Sequence, residues 1–568
     1  MNASINTRNN DLIRSIFKKI LLPALAAGAS ANIATMIDGI VVGNAIGSEA
    51  LAAVNSCRPA SQIYGFLSEI LASGVAVSIA RSVGKSEKGK PDKLFTTGIS
   101  AALIAAVVLT LVQQLFAGNI CRLFADDEEL YPLALEYYRI FSLSVFFILF
   151  NNSLSSAMRT DGYPKLSALV QLLPHIVNAL LNVLFVSVFD MGLSGVAIAT
   201  VLGYFAAFLV GAYYFFFRKS YRLLRGNFGR NLAEITSVGT PPAVNMGLIS
   251  IKLLIINSLV LSVGGSLGMA VMSLIMVEWA LESLFISGVK QSMMPMISYY
   301  YANGDYHGVR AVFNYAFRFL MTAEAALVLL FEVFPQFLPF IFGMREPEQI
   351  SAACVGIRIF ALSMPLEAFA MLTISYYTAI RNRKTAVVLS VLLGLVATVS
   401  VIYPLAHFFG INGVWLSFPV AELIPLALIA ILSRLNSERF FRMKGHTYLQ
   451  EFSVDVDQLS HTVDCVRKAV GDAGFDAIAA NRTGLAIEEM ALSALERNSE
   501  KKVHIDVTVR KIEDALLVTF SDDGMEFDPV TSADREAKTS SLAMLKAISA
   551  KMEYGRIVGM NKTDIYLQ

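Results

Sequence analysis

Residues 385–433 read TAVVLSVLLGLVATVSVIYPLAHFFGINGVWLSFPVAELIPLALIAILS and contain one carboxylate, Glu422, and no lysine or arginine. A helix needs about twenty apolar residues to cross the hydrocarbon layer of a membrane. This stretch therefore spans twice, over 385–408 and 412–433, turning at Gly410-Ile411. Segments of the same kind lie at 20–46, 55–80, 94–119, 133–157, 166–189, 193–217, 232–262, 267–299, 311–341 and 352–379. The reading is an all-α polytopic membrane protein with twelve spans. With 16% charged residues and a mean hydropathy of +0.58, the chain is too apolar for an ordinary soluble protein.

Lys and Arg collect in the cytoplasmic loops of membrane proteins, and here they fall in every second loop. Arg8, Arg14, Lys18 and Lys19 precede span one, and Arg81, Lys85, Lys88, Lys90 and Lys93 follow span two. Arg159 and Lys165 follow span four, Arg218 to Arg230 follow span six, and Arg310 follows span eight. Arg381, Arg383 and Lys384 follow span ten, and Arg434 to Lys444 follow span twelve. Both termini are expected in the cytoplasm, with the chain in the inner or plasma membrane. The apolar segment after Lys19 reads as a retained span, with no cleavable leader.

The turn that opened the reading has an echo. Gly410-Ile411-Asn412-Gly413-Val414 repeats Gly192-Leu193-Ser194-Gly195-Val196 at an offset of 218 residues. Gly265-Ser266 likewise repeats Gly47-Ser48, and Ala379-Ile380-Arg381 repeats Ala157-Met158-Arg159 a few residues off that offset. Two six-helix bundles, 1–225 and 226–444, are expected about a pseudo-twofold axis along the membrane normal, with a site between them. Such repeats point to a transporter.

Several stretches then resemble the multidrug and toxic compound extrusion (MATE) family: IDGIVVGNAIGSEALAAV from Ile37, SGVAVSIARSVG from Ser73, MRTDGYPK from Met158 and NALLNVLFVSVFDMGLSGVAIATV from Asn178. The resemblance covers about 12–435. It implies a secondary transporter rather than an enzyme, exporting small amphipathic or cationic compounds by alternating access, with inward H⁺ or Na⁺ as the coupling ion.

Ionisable groups inside spans are costly and hence functional candidates. Asp38 matches the family's span-one carboxylate. Asn178 and Asn182 share a face of span five, where an archaeal branch has Asn then Asp; interhelical hydrogen bonding is an equal reading. Glu278 and Glu282 form an i,i+4 pair beside Trp279, and Glu367 follows Pro365. Glu324, Glu332 and Glu422 are further acids in or near spans. Ser250 and Lys252 stand where a bacterial branch has a span-seven glutamate. Pro23, Pro241, Pro242, Pro365 and Pro419 are either hinges or static kinks. Cys57, Cys121, Cys354 and Cys465 show no metal spacing and read as small buried residues.

From His446 onward there are 21 Asp and Glu against 14 Lys and Arg, and the pattern turns to soluble α/β. The stretches KKVHIDVTVRK and ALLVTFSDD read as a hairpin of alternating strands. Residues 449–568 resemble a GHKL ATPase-like α/β sandwich of the anti-sigma-factor kinase kind. That resemblance implies Glu489 as the activating acid, with Asp522 and Gly524 in the turn that holds adenine. Ser493 stands where a Mg²⁺-holding Asn belongs, and TSSLAMLKAI replaces the glycine-rich phosphate lid. ATP and Mg²⁺ are thus cofactors of this tail only by resemblance, and a regulatory docking module for a cytosolic protein is the alternative. Membrane lipid and a small-molecule substrate are the other partners expected, with no nucleic acid. Two competing functions are a flippase of lipid-linked intermediates, whose cavity would be lined with Arg and Lys, and a membrane sensor signalling through its tail.

Overall fold

The structure is a computed structural model that describes residues 10–46, 53–54, 57–124, 130–342, 344–435, 447–454, 459–498, 502–512, 515–535 and 540–567. The first part of the chain is helical: α1 (Asp11–Ala45), α2 (Arg58–Gly84), α3 (Lys90–Leu115), α4 (Leu130–Phe141), α5 (Ser144–Thr160), α6 (Pro164–Asn182) and α7 (Gly192–Phe217). One helical stretch, Phe228–Ala302, then breaks at Gly265, where φ is 56°. Its arms are α8 (Phe228–Gly265) and α9 (Leu267–Ala302). Next come α10 (Tyr306–Val333), α11 (Pro347–Ala361), α12 (Met364–Ala379), α13 (Arg383–Val391) and α14 (Ala397–Leu435).

Eight helices among the described residues are long and apolar enough to cross a membrane, or nine when α4 and α5, bent by 44°, count as one span. Their outer faces carry large exposed apolar side chains such as Leu115, Phe216, Phe217 and Phe408. Water would not tolerate so extensive a belt, whereas lipid requires it. The protein is an integral membrane protein.

The kinks follow the repeat. Gly192 and Gly410, matched at the 218-residue offset, have φ values of 56° and 58°, a region glycine enters without steric cost. A wide π-turn follows α6 at Val183–Val188 and another follows α13 at Leu392–Val396. Pro23, Pro241, Pro242 and Pro419 lie inside helices. Pro365 instead sits in the first turn of α12, where its missing N–H is not needed, directly after the break that separates α12 from α11.

The two halves meet along α2, α8 and α9. A Cβ on Gly84 would lie 2.4 Å from the Tyr299 carbonyl oxygen, and one on Gly239 would lie 1.9 Å from that of Ile70. Only glycine allows these backbones to approach so closely. Cys57 and Cys121 are buried as expected, but Cys354 and Cys465 are only partly covered.

The tail is an antiparallel sheet in the order β1-β2-β3-β5-β4, built from Thr447–Val454, Ile505–Ile512, Ala515–Asp522, Lys551–Ile557 (β4) and Met560–Leu567 (β5). Its helices are α15 (Leu459–Asp472), α16 (Ala477–Arg497), α17 (Pro529–Arg535) and α18 (Ser541–Ile548). Val507, Val509, Val518, Phe520 and Ile565 form an apolar core with these helices. The opposite face of the sheet carries Asp506, Thr508, Arg510, Thr519, Lys562 and Asp564, all buried as well. They are buried because this face lies on the membrane part.

Lys562 Nζ sits 2.8 Å from Asp564 and donates to the Gly84 carbonyl at 3.1 Å and to Ser86 Oγ at 2.8 Å. Arg510 donates to both the carbonyl and the side chain of Asn303. Burial works against the Asp564 carboxylate, yet Lys562, Ser86 and Thr519 hold it below its ordinary value. The β4–β5 turn inserts next to α5: Val558 N donates to the Thr160 carbonyl at 2.6 Å. Ile557, Val558 and Met560 thereby join the largest apolar core, which runs through both halves.

Beside that turn, burial pushes the Asp161 carboxyl up to about 6, although Tyr214 and the Ser220 amide bond to it. A raised value means that its favourable contribution to stability is complete below its unfolded value and is lost as pH rises through 6. Asp161→Asn keeps an acceptor for both donors. It is expected to stabilise the detergent-solubilised protein at pH 7.5 by about 2–3 kcal/mol at most, and to flatten its melting temperature between pH 4 and 6.5. An unchanged pH profile would contradict this account.

Candidate functional site

Between the halves, two adjoining cavities share one ion pair. Lys290 on α9 donates to Glu69 on α2 at 2.9 Å. One cavity, about 290 Å³, is polar and is lined by Ser68, Asn152, Ser156, Arg159 and Gln291 as well as by the pair. The other, about 310 Å³, is mainly apolar, with Met246, Ile249, Leu253, Met371 and Ile374 beside the same pair. Neither Glu69, Lys290 nor Arg159 was among the sequence candidates for ion or substrate coupling. The rule that flags charges inside spans applies to Glu69 and Lys290, but 221 residues separate them, and only the fold makes them a pair.

A second constellation lies wholly in the C-terminal half. Glu282 of α9 interacts electrostatically with Glu367 of α12, Glu324 of α10, Glu422 of α14 and Lys252 of α8. All five are buried. Neither carboxyl oxygen of Glu282 or Glu324 has a hydrogen-bond partner among the described residues. Lys252 Nζ lies 5.3 Å from the centre of the Trp279 ring, so its ammonium is partly served by an aromatic face. Glu282 and Glu367 are thus brought together, and Glu324 and Glu422 join them. Glu278, one turn from Glu282, stands apart and interacts with Glu332 instead.

In the N-terminal half, Asn182 donates to Asn178 Oδ1 at 3.2 Å, and Asn178 donates to Thr200 on α7 at 2.9 Å. These bonds tie α6 to α7. Asp38 falls in α1, but its side chain lies outside the described residues.

In the tail, Asp522 Oδ1 accepts from the Gly524 amide at 2.9 Å and from Asn561 at 2.8 Å, closing a turn at the end of β3. Burial pushes the Asp522 carboxyl up. Ser493, one helical turn after Glu489 on α16, accepts from Arg497, whose guanidinium stacks on Phe527 at 3.4 Å. The Mg²⁺ half does not fit, because a guanidinium occupies Ser493 where a cation would bind. The next residue, Asp523, accepts from Ser15 at 2.5 Å and Lys19 at 3.2 Å on α1.

The described helices, the two cavities and the buried acids are the features to set beside known proteins. The MatE family model matches residues 23–184 and again residues 241–403, with starts 218 residues apart. The chain belongs to the MatE family. Members of this family are secondary transporters, not enzymes. The chain is 22% identical over 430 residues to the multidrug export protein MepA of Staphylococcus saprophyticus, covering 74% of this chain and 93% of that one. It is 29% identical over 265 residues to the probable multidrug resistance protein YpnP of Bacillus subtilis, covering 44% of this chain and 57% of YpnP. The chain thus spans little more than half the length of that relative, and likewise of the B. subtilis probable multidrug resistance protein YoeA. Among solved structures, an outward-facing multidrug resistance MATE transporter of the MOP superfamily aligns with a TM-score of 0.71 at 22% identity, over 77% of this chain and all of that one. A MOP superfamily transporter from Pyrococcus furiosus aligns at 0.69 and 22%. At such identity these structures speak for the MatE fold.

The Glu69–Lys290 pair can be weighed by a double-mutant cycle. Glu69→Gln or Lys290→Gln alone leaves one member of the pair without its partner, whereas the double substitution removes both, with Arg159 unchanged throughout. The two single losses in stability of the detergent-solubilised protein are expected to exceed the double loss, with a coupling of about 1–3 kcal/mol. Additive losses would show that the pair does not join the halves.

Proposed function

We propose that the protein exports small organic compounds by alternating access, driven by inward proton flow through the Glu282–Glu324–Glu367–Glu422 cluster, and that its tail regulates the cycle. The cluster carries this reading. Four buried carboxyl groups within electrostatic reach of one another and of a single ammonium repel one another when charged in a medium of low dielectric. Such a cluster must gain or lose protons whenever its access to water changes, and its charge then biases the helices that bear it. Each buried carboxyl of the cluster can take up a proton by itself, and on that ground the coupling ion is read as H⁺. Glu278, Asn178 and Asn182 take supporting parts in this reading, and Asp38 acts as a second proton carrier in the N-terminal half.

Twelve spans follow when α1 and α10 are added to the nine and the 383–432 helix is divided at Gly410. Every loop rich in Lys and Arg that touches the tail lies at one end of the molecule: Lys88 pairs with Glu553 at 3.6 Å and Lys19 with Asp523 at 3.2 Å. The positive-inside rule assigns that end, and both termini, to the cytoplasm.

The tail, read as a GHKL-like sandwich, grips both halves at this end. It holds the first half at Gly84, Ser86 and Thr160, and the second at Asn303. A domain fixed to both halves opposes their separation on that side. Asp522, in the adenine-type turn, and Asp523, bonded to Ser15 and Lys19 of α1, are adjacent residues, so nucleotide bound at the first would be felt at the second. The Arg497–Ser493 contact argues against Mg²⁺-dependent phosphotransfer. The flippase reading gains Arg159 and Lys290, but Glu69 already answers Lys290, leaving one cation where a pyrophosphate calls for several.

Vesicles carrying the intact protein, under an imposed ΔpH, are expected to move fluorescent organic dyes. Glu282→Gln should cut the ΔpH-driven rate tenfold or more while dye binding persists, and Asp38→Asn should cut it as well. Efflux indifferent to ΔpH or to Glu282→Gln would sink proton coupling through the cluster.

Lys562→Met strands the Asp564 carboxylate and is expected to weaken the tail's docking by about 3–5 kcal/mol. Hydrogen exchange should then rise in β5 and at the end of α2, and the transport rate should change with it. A loosened tail with unaltered transport would reduce the domain to a structural appendage.

A further inference from the structure

The polar cavity holds a cation with no carboxylate at ion-pair distance; the acid that reaches it electrostatically is Glu69, which is already bonded to Lys290. Arg159 Nη1 donates to Ser155 at 3.2 Å and Ser167 at 2.9 Å. Its Nε and Nη2 make no hydrogen bond among the described residues, and no carboxylate lies within ion-pair distance of it. Its repeat counterpart, Arg381, has its acid: Glu234 at 3.0 Å. Lys290, the other cation on this cavity, has Glu69. With Arg159, Lys290 and Glu69 all lining it, the cavity carries one positive charge in excess.

A guanidinium with one edge of its fork open is shaped to take a carboxylate, sulfonate or phosphate by two parallel hydrogen bonds. Ser156 and Asn152 supply further polar groups around it, and Gln291 Oε1 has no partner among the described residues. Across the Lys290–Glu69 pair, the apolar cavity offers Met246, Leu253, Met371 and Ile374. Methionines of this kind adapt to varied apolar shapes.

We infer that the central site takes amphiphiles bearing an anionic head, the head on Arg159 and the apolar body among the methionines of the adjoining cavity. This rests on the exporter reading and narrows its substrates away from simple cations. Lys290 gives the head a second positive contact when Glu69 is turned aside, so the ion pair serves as the partition between the chambers.

The test uses two probes with the same fluorophore and opposite charge, dansylglycine and dansylcadaverine, bound to the full-length protein in phosphatidylcholine nanodiscs. Dansylglycine is expected to bind at least tenfold more tightly. Arg159→Gln should weaken it tenfold or more, and Arg159→Lys should restore part of the loss. If Arg159→Gln does not fold, Gln291→Glu adds a carboxylate to the same wall while keeping Arg159. It should weaken dansylglycine and strengthen dansylcadaverine. Tighter binding of dansylcadaverine to the intact protein, or dansylglycine binding indifferent to both substitutions, would overturn the inference. Displacement of dansylglycine by added phosphatidylglycerol would support the same chemistry with a lipid head as occupant. Loss of ΔpH-driven transport with this binding pattern intact would count against the exporter reading alone.

Discussion

A charge carried out of water must meet an opposite charge, a proton or a set of hydrogen bonds, since the lipid around this chain supplies none of these. The interior follows that constraint place by place. Glu69 meets Lys290 across the two halves, and Lys562 meets Asp564 where the tail touches the membrane part. The glutamates around Glu282 outnumber their one cation, Lys252, and this excess sets them apart from a structural ion pair and underlies the proposal that they handle protons. Arg159 is the opposite case, a cation in excess facing a cavity.

The same constraint explains the tail's attachment. A sheet with one apolar and one polar face ordinarily leaves the polar face in water. Here Arg510, Thr519, Lys562 and Asp564 are as buried as the apolar face, so they are tolerated only while the membrane part satisfies them. Residues far apart in sequence, Gly84 and Ser86 on one side and Asn303 on the other, complete these bonds. The tail thus contacts both halves of the membrane part, and the regulatory role proposed for it rests on those contacts.

Much of the candidate site was legible residue by residue. Glu282 and Glu367 are acids in apolar runs, and so they drew attention as soon as the spans were drawn. Their meeting with Glu324 and Glu422 was not legible, because helix packing decides which faces converge and one sequence does not fix the rotation of each helix. Asn178 and Asn182 share a face as their spacing requires, and the partner that ties them to the neighbouring helix, Thr200, came only from the fold. Ser493 was legible as a departure from the Asn that the tail's resemblance calls for; its bond from Arg497 came only from the structure.

The sequence by itself determined that this chain lives in a membrane, that it is built twice over, and that a soluble α/β unit follows. Those are properties of local hydropathy, loop charge and periodicity, and each can be read within a few tens of residues. Tertiary structure alone decided that Glu69 answers Lys290, that Arg159 is left without an acid while Arg381 has Glu234, and that the tail's polar face is buried. Each of these depends on groups separated by long stretches of chain, and their energies exist only once the low-dielectric interior has formed around them.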